Sequence, residues 1–458
     1  DDCDVMGNVA HGSVNPAAPN SALDLQGGGG IFNNLGVVNI VNVIGATTIT
    51  GNTADGATFG SGGGILSVGG SFNITGANIS MNETVRAGGG IENGASMMSI
   101  TNSTINNNDC SLGGAIAAAT PGNGGGIHVT GAGTMTVSMC GLDGNAAGNE
   151  GGGLWGSGTG TLTVIRSTSS NNSAPDGGGL FLQAGPTGVL NMNYSTSSGN
   201  TATNGGGVQV EGGTLNITGS TVASNTATTG GGVNVIATTV NANSTLIADN
   251  TAGTGADFNG AFATANFTLL ENGTGAMGIM NAMNGNIVGS DAALLPLANN
   301  GGMTMTHALG CGSPAFNTGN PLDASLDQRG LAVFGAVRDI GAYEVQSVFS
   351  TATLTINTDD FGSEITWEVR TAPGNVLVAS GGPYSDTPGG TVEIESICLT
   401  VGCYDLIVMD AGGNGISGGG YVLTDDMGNR IIDANGDFGS NSTSPNEWCV
   451  PIDRKSVV

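Results

Sequence analysis

Positive charge is scarce in this sequence. Its 458 residues include only eight lysine and arginine side chains against 35 aspartates and glutamates, and the formal net charge is −27. A chain with so few groups to neutralise phosphates is not expected to bind nucleic acid, and its charge gives it no attraction to anionic membranes. The partners compatible with this balance are divalent cations, neutral or cationic glycans, and further copies of the chain itself.

Long apolar runs and helical periodicity are lacking as well. No stretch resembles a transmembrane helix, so we expect no membrane insertion. The opening letters DDCDVMGN indicate the start of a mature secreted chain rather than an initiator methionine. Because amphipathic helical windows are missing while β-branched residues are plentiful, the sequence favours an all-β protein.

Cysteine is also sparse, with seven residues and no pair at metal-site spacing. Cys398, Cys403 and Cys449 lie near the C-terminus. They predict a disulfide between Cys449 and one of the other two, formed in an oxidising, extracellular compartment. Cys110 and Cys140 lie about one repeat apart, and they are candidates for a disulfide between neighbouring repeats.

Glycine, by contrast, is abundant at 85 residues. Glycine clusters followed by a branched aliphatic residue recur, most of them at intervals of 25 to 28 residues. The clusters begin at Gly28, Gly62, Gly88, Gly124, Gly151, Gly177, Gly205 and Gly230, with a variant at Gly113. This interval suits one coil of a stacked solenoid, in which glycine permits a tight corner where a Cβ would clash.

Asparagine recurs just before the glycine clusters. Asn172, Asn200 and Asn225 each stand five residues before one of them, and stacked asparagines can hydrogen-bond amide to amide along a solenoid axis. Between clusters, apolar residues alternate in short runs, which predict three strands per coil. The pattern predicts a parallel β-helix over residues 28–290, after an N-terminal segment of residues 1–27.

The repeats carry a resemblance to known families. The GGGI, GGGL and GGGV turns resemble the repeats of bacterial polymorphic outer-membrane-protein-like and pectate-lyase-like surface proteins, over roughly residues 25–290. This resemblance implies a right-handed, single-stranded parallel β-helix. Residues 291–346 resemble the choice-of-anchor Q module of bacterial secreted β-helices, through the letters LLPLANNGG, HALGCGSPA, DQRG and VRDIGAYE. That second resemblance implies that residues 291–346 form the last coils and a cap.

From residue 347 the glycine clusters stop, and seven or eight short strand-like runs predict a small β-sandwich over residues 347–458. This part resembles a C-terminal module common in secreted proteins of Bacteroidota. Two of its loops are rich in the oxygen ligands that calcium takes. These ligands are Asp359, Asp360 and Glu364 in the first loop, and Asp410 and Asn414 in the second. Calcium is the one cofactor suggested, with turn-forming aspartates as the alternative.

Residues suited to catalysis are few. A lyase of this fold needs a basic residue beside carboxylates, and before residue 290 the only arginines are Arg86 and Arg166. A hydrolase needs two carboxylates that face each other. Two pairs are candidates to meet on adjacent coils, Asp143 with Glu150 and Asp176 with Glu211. Nothing in their spacing requires this, so no catalytic residue is predicted.

Histidine and tryptophan occur three times each. No two histidines have metal-ligand spacing, so a zinc site is not expected. We expect the His128 side chain to lie on the face of a strand and His307 to pack within the cap. An exposed tryptophan in the sandwich would suit a sugar ring, but Trp367 lies in a strand-like run and is expected to point inside.

These features predict a secreted or cell-surface structural protein without enzymatic activity. We expect it to self-assemble into an extracellular fibre or sheath and to mediate adhesion. The reasons are that a stiff rod with few charges permits close packing, and that residues 1–27 offer no clear polar cap. Two alternatives stay open, a glycan-binding adhesin that acts through its C-terminal sandwich and a polysaccharide-degrading enzyme.

Overall fold

A computed structural model describes residues 3–11, 27–42, 47–56, 60–111, 122–185, 187–443 and 448–450. The chain forms two compact units, Asp1–Val345 and Gln346–Val458. The described residues form β-strands and connecting turns, with one 3-10 turn at Gly362–Glu364 and no α-helix. The predicted all-β fold is therefore confirmed.

The first unit is a parallel β-helix whose four sheets each take one strand from successive coils. Sheet 1 has eleven strands: Asp4–Met6, Thr47–Thr50, Ala77–Ser80, Thr104–Asn106, Gly141–Asp143, Thr168–Ser170, Thr196–Ser198, Thr221–Ala223, Leu246–Ala248, Leu269–Leu270 and Ile287–Val288. Sheet 2 has five: Val9–Ala10, Thr53–Ala54, Glu83–Thr84, Asp109–Cys110 and Ala146–Ala147.

The other two sheets complete each coil. Sheet 3 has ten strands: Ile31–Asn34, Ile65–Val68, Ile91–Gly94, Ile127–Thr130, Leu154–Gly158, Leu180–Ala184, Val208–Glu211, Val233–Ile236, Phe258–Ala261 and Ala276–Met277. Sheet 4 has nine: Val37–Val41, Ser71–Thr75, Met97–Thr101, Thr134–Ser138, Thr161–Ile165, Val189–Asn193, Thr214–Thr218, Thr239–Asn243 and Thr264–Asn266.

A coil in the first half of the solenoid has four strands, one more than predicted. The additional strand is the two-residue strand of sheet 2, such as Glu83–Thr84, which lies between sheet 1 and the glycine cluster. Two residues are too few to show a period-two pattern in a sequence. Beyond Ala146–Ala147 the same line continues as single parallel bridges through Ser173, Thr201, Thr226 and Thr251.

The solenoid also begins before residue 28. Asp4–Met6 pairs in parallel with Thr47–Thr50, and Val9–Ala10 pairs with Thr53–Ala54. Part of the predicted N-terminal segment is thus the opening of the first coil. Residues 12–26 of that segment lie outside the described residues, and so does the glycine variant at Gly113.

The interior is a column of apolar side chains, because alternate strand residues point inward. In sheet 3 the first residues of successive strands, including Ile65, Ile91 and Ile127, are completely buried. They stack in register, since Ile91 pairs with both of the others. Full burial of one such side chain contributes about 1.5–3 kcal/mol, so coil-on-coil stacking supplies most of the driving force.

Glycine and asparagine form the corner that precedes sheet 3. Gly62 and Gly88 have φ of 64° and 66°, and a Cβ on Gly62 would lie 2.3 Å from the carbonyl oxygen of Ile65. The buried asparagines make a ladder beside this corner. Each Nδ2 donates to the Oδ1 of the next, as from Asn200 to Asn225 at 2.9 Å. The ladder begins at the exposed Asn8, continues through the buried Asn52, Asn82, Asn108, Asn145, Asn172, Asn200, Asn225 and Asn250, and ends on the Asp257 carboxylate.

Residues 291–345 do not add coils, which corrects the prediction for this segment. The last solenoid strand is Ile287–Val288, and no strand follows in this fully described stretch before Ser350–Asn357. The segment instead turns back along sheet 1. The Thr168 hydroxyl donates to the Met305 carbonyl at 2.6 Å, and the Ala342 amide donates to the Thr221 hydroxyl at 3.0 Å. We call residues 291–345 the strap, because it covers the side of the solenoid.

The second unit is a β-sandwich, as predicted. Sheet 5 consists of Val392–Leu399, Ser350–Asn357, Gly420–Thr424 and Arg430–Ala434, all antiparallel. Sheet 6 consists of Leu377–Gly381, Ile365–Thr371, Gly402–Asp410 and Asn441–Thr443, with Trp448–Val450 also paired to Gly402–Asp410. Inward residues of both sheets, such as Leu354 and Val369, form one core.

Candidate functional site

The N-terminal end of the solenoid presents unpaired strand edges. Asp4–Met6, Val9–Ala10, Ile31–Asn34 and Val37–Val41 are each the first strand of their sheet, and among the described strands none pairs on their outer side. Such an edge exposes backbone N–H and C=O groups that a further strand can satisfy. We call residues 3–11 and 27–42, which contain these strands, the open end.

The apolar core is incompletely covered at the open end. The inward residues Ile31 and Ile40 are only partly buried, whereas their partners in the next coil, Ile65 and Ile74, are at most 1% exposed. A hollow of about 230 Å³ lies among the inward side chains of this coil and its neighbour. Its lining includes Cys3, Val5, Ile31, Ile40 and Ile49.

Several outward side chains of the open end are apolar, beside polar ones such as Asp4 and Asn8. Met6, Val9 and Phe32 are 55%, 51% and 48% exposed. The opposite end of the core differs, because Phe258 and Phe262 stack there at 3.8 Å between ring centroids and are at most 5% exposed. The two ends therefore differ in how the inward core residues are covered, although Met277, Met280 and Met283 are also exposed near the C-terminal end of the solenoid.

The outer side of sheet 4 carries no charge. Its nine strands, from Val37–Val41 to Thr264–Asn266, contain no aspartate, glutamate, lysine, arginine or histidine. The middle outward positions are polar and uncharged: Asn39, Asn73, Ser99, Thr136, Thr163, Asn191, Asn216 and Asn241. We call this outer side of sheet 4 the neutral face.

Side-chain hydrogen bonds order the neutral face. Asn216 Nδ2 donates to Asn191 Oδ1 at 2.8 Å, and Asn241 Nδ2 donates to Asn216 Oδ1 at 2.9 Å. Thr264 Oγ1 continues the row by donating to Asn241 Oδ1 at 2.9 Å. Because parallel strands are about 4.8 Å apart, the row is an evenly spaced array of hydrogen-bonded amides that ends in a hydroxyl.

A buried polar and aromatic column lies on the outer side of sheet 3. Glu92 and His128 are register partners, with 2.5 Å between Oε2 and Nδ1 and side chains at most 6% exposed. The His128 ring stacks on Trp155 at 4.2 Å, and Trp155 stacks on Phe181 at 6.5 Å. Trp155 Nε1 donates to Glu150 Oε2 at 2.8 Å. This column is packed, so its rings do not form an exposed platform for a sugar.

The acidic residues considered as hydrolytic pairs lie in two different places on the solenoid. Glu150 and Asp176 are bridge partners on adjacent coils. Burial raises the pKa of Glu150, and the nearby carboxylates of Glu211 and Asp176 raise it further, against the lowering effect of its hydrogen bond from Trp155. Asp143 instead accepts a hydrogen bond from the Ser170 hydroxyl at 2.7 Å. No arginine or lysine accompanies the Glu150 group in any ion pair of the described residues.

The strap is fastened to the solenoid by buried polar contacts. Arg338 is 1% exposed, its Nη1 lies 2.6 Å from Asp323 Oδ2, and its guanidinium lies 5.0 Å from the Tyr194 ring centroid. Gln328 Nε2 donates to Thr168 Oγ1 at 2.8 Å. The letters DQRG and VRDIGAYE therefore supply the fastening groups of the strap.

His307 makes a further link between strap and solenoid. Its Nδ1 lies 2.8 Å from the Leu295 carbonyl oxygen, which can only accept a hydrogen bond, so Nδ1 carries the proton and Nε2 accepts from the Ser198 hydroxyl at 2.8 Å. Burial lowers the pKa of His307, while the Leu295 carbonyl and the charge of Asp249 oppose this shift. Ser198 is only 2% exposed, so this serine–histidine pair fixes the strap and is not open to a substrate.

The oxygen-rich loops of the sandwich use their carboxylates as turn acceptors. Asp410 Oδ2 accepts from the backbone amides of Asn414 at 2.8 Å and Gly415 at 2.7 Å. Asp359 and Asp360 likewise accept backbone amides, from Ser417 and Gly389 among others, and Glu364 and Asn414 lie together beside Gly412. Within the part of the chain that the structure describes, no group of three or more His, Cys, Asp or Glu is arranged to hold a metal ion.

The tryptophans of the sandwich are internal. Trp367 and Trp448 are each 4% exposed, and Trp367 Nε1 donates to the Tyr384 hydroxyl at 2.8 Å. Neither ring is available to stack on a sugar from solution.

The cysteines divide into bonded and free groups. Cys403 and Cys449 form a disulfide in the sandwich. Cys311 and Cys398 are each disulfide-bonded as well. The suggested link between Cys110 and Cys140 is wrong, because both are buried free thiols. Burial raises the pKa of both thiols, that of Cys140 to about 12, so they behave as small apolar core residues.

These disulfides indicate an oxidising compartment. None of the helical segments in the described residues is long and apolar enough to span a membrane. Comparison of the chain with protein-family models, with curated proteins and with solved structures found no match. The fold and the local geometry therefore carry the functional argument, and they define a disulfide-bonded parallel β-helix with an attached β-sandwich.

Proposed function

We propose that this protein is an extracellular structural protein that self-associates through the open end and so builds a fibre or sheath that mediates adhesion. The observation that carries the proposal is the half-covered core at the first coil, where Ile31 and Ile40 are partly exposed while their partners one coil further in are buried. A second copy that covers this end satisfies both the apolar surface and the strand edges.

Chemistry at the same place supports the proposal. Cys3 is an exposed free thiol beside the hollow, and in an oxidising compartment such a thiol can join two copies covalently. The net charge of −27 keeps unrelated surfaces apart. Contacts between copies are therefore favoured where carboxylates are few. The inward surface of the first coil is apolar and meets this condition.

The test places charge at the open end without disturbing the interior. Met6 and Val9 are exposed, so the double variant Met6→Glu/Val9→Glu should fold normally. The wild type should show concentration-dependent association in sedimentation velocity and elongated particles by negative-stain microscopy. Over the same concentrations the variant should form no elongated end-to-end particles and should associate more weakly than the wild type.

A matched control carries the same two charges elsewhere. Val376 and Met427 are exposed positions of the sandwich, and Val376→Glu/Met427→Glu should associate like the wild type. A wild type that stays monomeric at high concentration, or an open-end variant that associates as well as the control, would refute the proposal.

A further inference from the structure

We propose that the neutral face is a lateral contact surface, to which the neutral face of a second copy binds side by side. This inference rests on the proposed self-assembly, but it concerns a different surface from the open end. Three features of the neutral face point to a second copy as its partner: the lack of charge, the hydrogen-bonded row of amides and the area of the face.

Charge singles out sheet 4 among the four sheets of the solenoid. Each of the other three contains carboxylates within its strands, such as Asp143 in sheet 1, Glu83 in sheet 2 and Glu211 in sheet 3. Sheet 4 contains none over nine strands, although the chain has 35 acidic residues. Two copies with a charge of −27 each can approach here without setting carboxylates against one another.

Some side chains of the neutral face are already hydrogen-bonded to one another before any contact. The amides of Asn191, Asn216 and Asn241 hold one another in a hydrogen-bonded row. Less rotamer entropy is then lost when a second surface packs on them. Rows of uncharged polar side chains on stacked strands are also the kind of surface that packs sheet against sheet in polar zippers.

Apolar groups contribute to the same face. Val37 and Met97 are 74% and 67% exposed there, Val189 is a half-buried outward residue, and the threonines present methyl groups. A surface of mixed apolar and neutral polar groups, without charge, has the composition of an interface centre.

The area fits a dimer contact of modest strength. Nine strands at about 4.8 Å spacing and five residues at about 3.3 Å give a surface of about 40 Å by about 16 Å, or roughly 650 Å² per copy. Stable interfaces bury about 800 Å² per partner. The neutral face therefore suits a reversible side-by-side contact between rods.

The test adds charge at two exposed positions of the neutral face. Thr136 and Thr239 are exposed outward residues of sheet 4. We expect Thr136→Glu/Thr239→Glu to weaken lateral association at least tenfold in sedimentation velocity of the full chain. The measurement uses the Met6→Glu/Val9→Glu background, so that only lateral contacts are counted. Raising NaCl from 0.05 to about 0.5 M should partly restore association, because salt screens the added carboxylates.

The matched control is Thr203→Glu/Thr226→Glu, which adds the same charge at exposed positions outside sheet 4. Equal association of the two double variants would overturn the lateral contact and leave the open-end proposal standing. A wild type that shows no association at all would refute the proposed function itself. Binding of a neutral polysaccharide by the face without any lateral dimer would also overturn the inference, because it would assign the face a different partner.

Discussion

Single residues set the corner of every coil. Gly88 has φ of 66°, and a Cβ there would lie 2.3 Å from the Ile91 carbonyl oxygen, which is backbone and cannot move aside. The glycine is thus required for two reasons, since an L side chain would be strained by the left-handed backbone and would also clash.

This leads to a prediction for Gly88→Ala, which should lower the free energy of unfolding by about 2–4 kcal/mol. Urea denaturation of the full chain would measure the loss. Gly185→Ala is the control, because nothing lies within 4 Å of a Cβ at that position and its φ is not in the left-handed region. Equal stability of the two variants would show that the corner does not depend on glycine.

At the scale of elements, the repeat pattern does not predict that the strap runs back along sheet 1. Its contacts join residues far apart in the chain, such as Gln328 and Thr168, which are separated by 160 positions. Buried polar groups of this kind fix one arrangement, because each would be costly to leave unpaired. The strap therefore holds the side of the solenoid by side-chain hydrogen bonds and ion pairs, with strand pairing playing little part.

The strap should respond to acid through His307. Its pKa in the folded protein is lowered from 6.5, so the neutral form stabilises the fold fully above about pH 6.5, and this contribution is lost as pH falls toward the lowered value. The unfolding temperature of the wild type should therefore fall relative to that of His307→Gln as pH falls below 6.5.

The comparison is made as a difference between variants, because other groups titrate nearby. Burial raises the pKa of Asp339 to about 7, so that carboxyl favours the fold at low pH and its contribution is lost as pH rises through 7. His11→Gln is the control, since the His11 side chain is 79% exposed. The proposed role of His307 is refuted if the unfolding temperatures of His11→Gln and His307→Gln change with pH in the same way.

At the scale of the whole molecule, charge governs how copies meet. The net charge of −27 repels like copies over about 10 Å at 0.1 M salt, whereas the open end and the neutral face are largely uncharged. Association should therefore strengthen when NaCl is raised from 0.05 to 0.5 M, and light scattering of the full chain at both concentrations checks this. Weaker association at high salt would point instead to contacts made by complementary charges.

Much of the solenoid follows from the sequence alone. The interval between glycine clusters is the length of one coil, and the left-handed corners and the inward isoleucines are local requirements that every coil repeats. The missed strand of sheet 2 has only two residues, such as Glu83–Thr84, so it leaves no period for a pattern to reveal.

Other features were decided only by the tertiary structure. The free thiols of Cys110 and Cys140 follow from where each side chain is buried, which their separation along the chain does not determine. The position of the strap and the partial exposure of Ile31 likewise depend on which distant parts of the chain pack there, which the local sequence does not determine. Repetition along the chain encodes the coil, because each coil contacts its copies in the same way. The ends and the covered side depend on contacts that occur once.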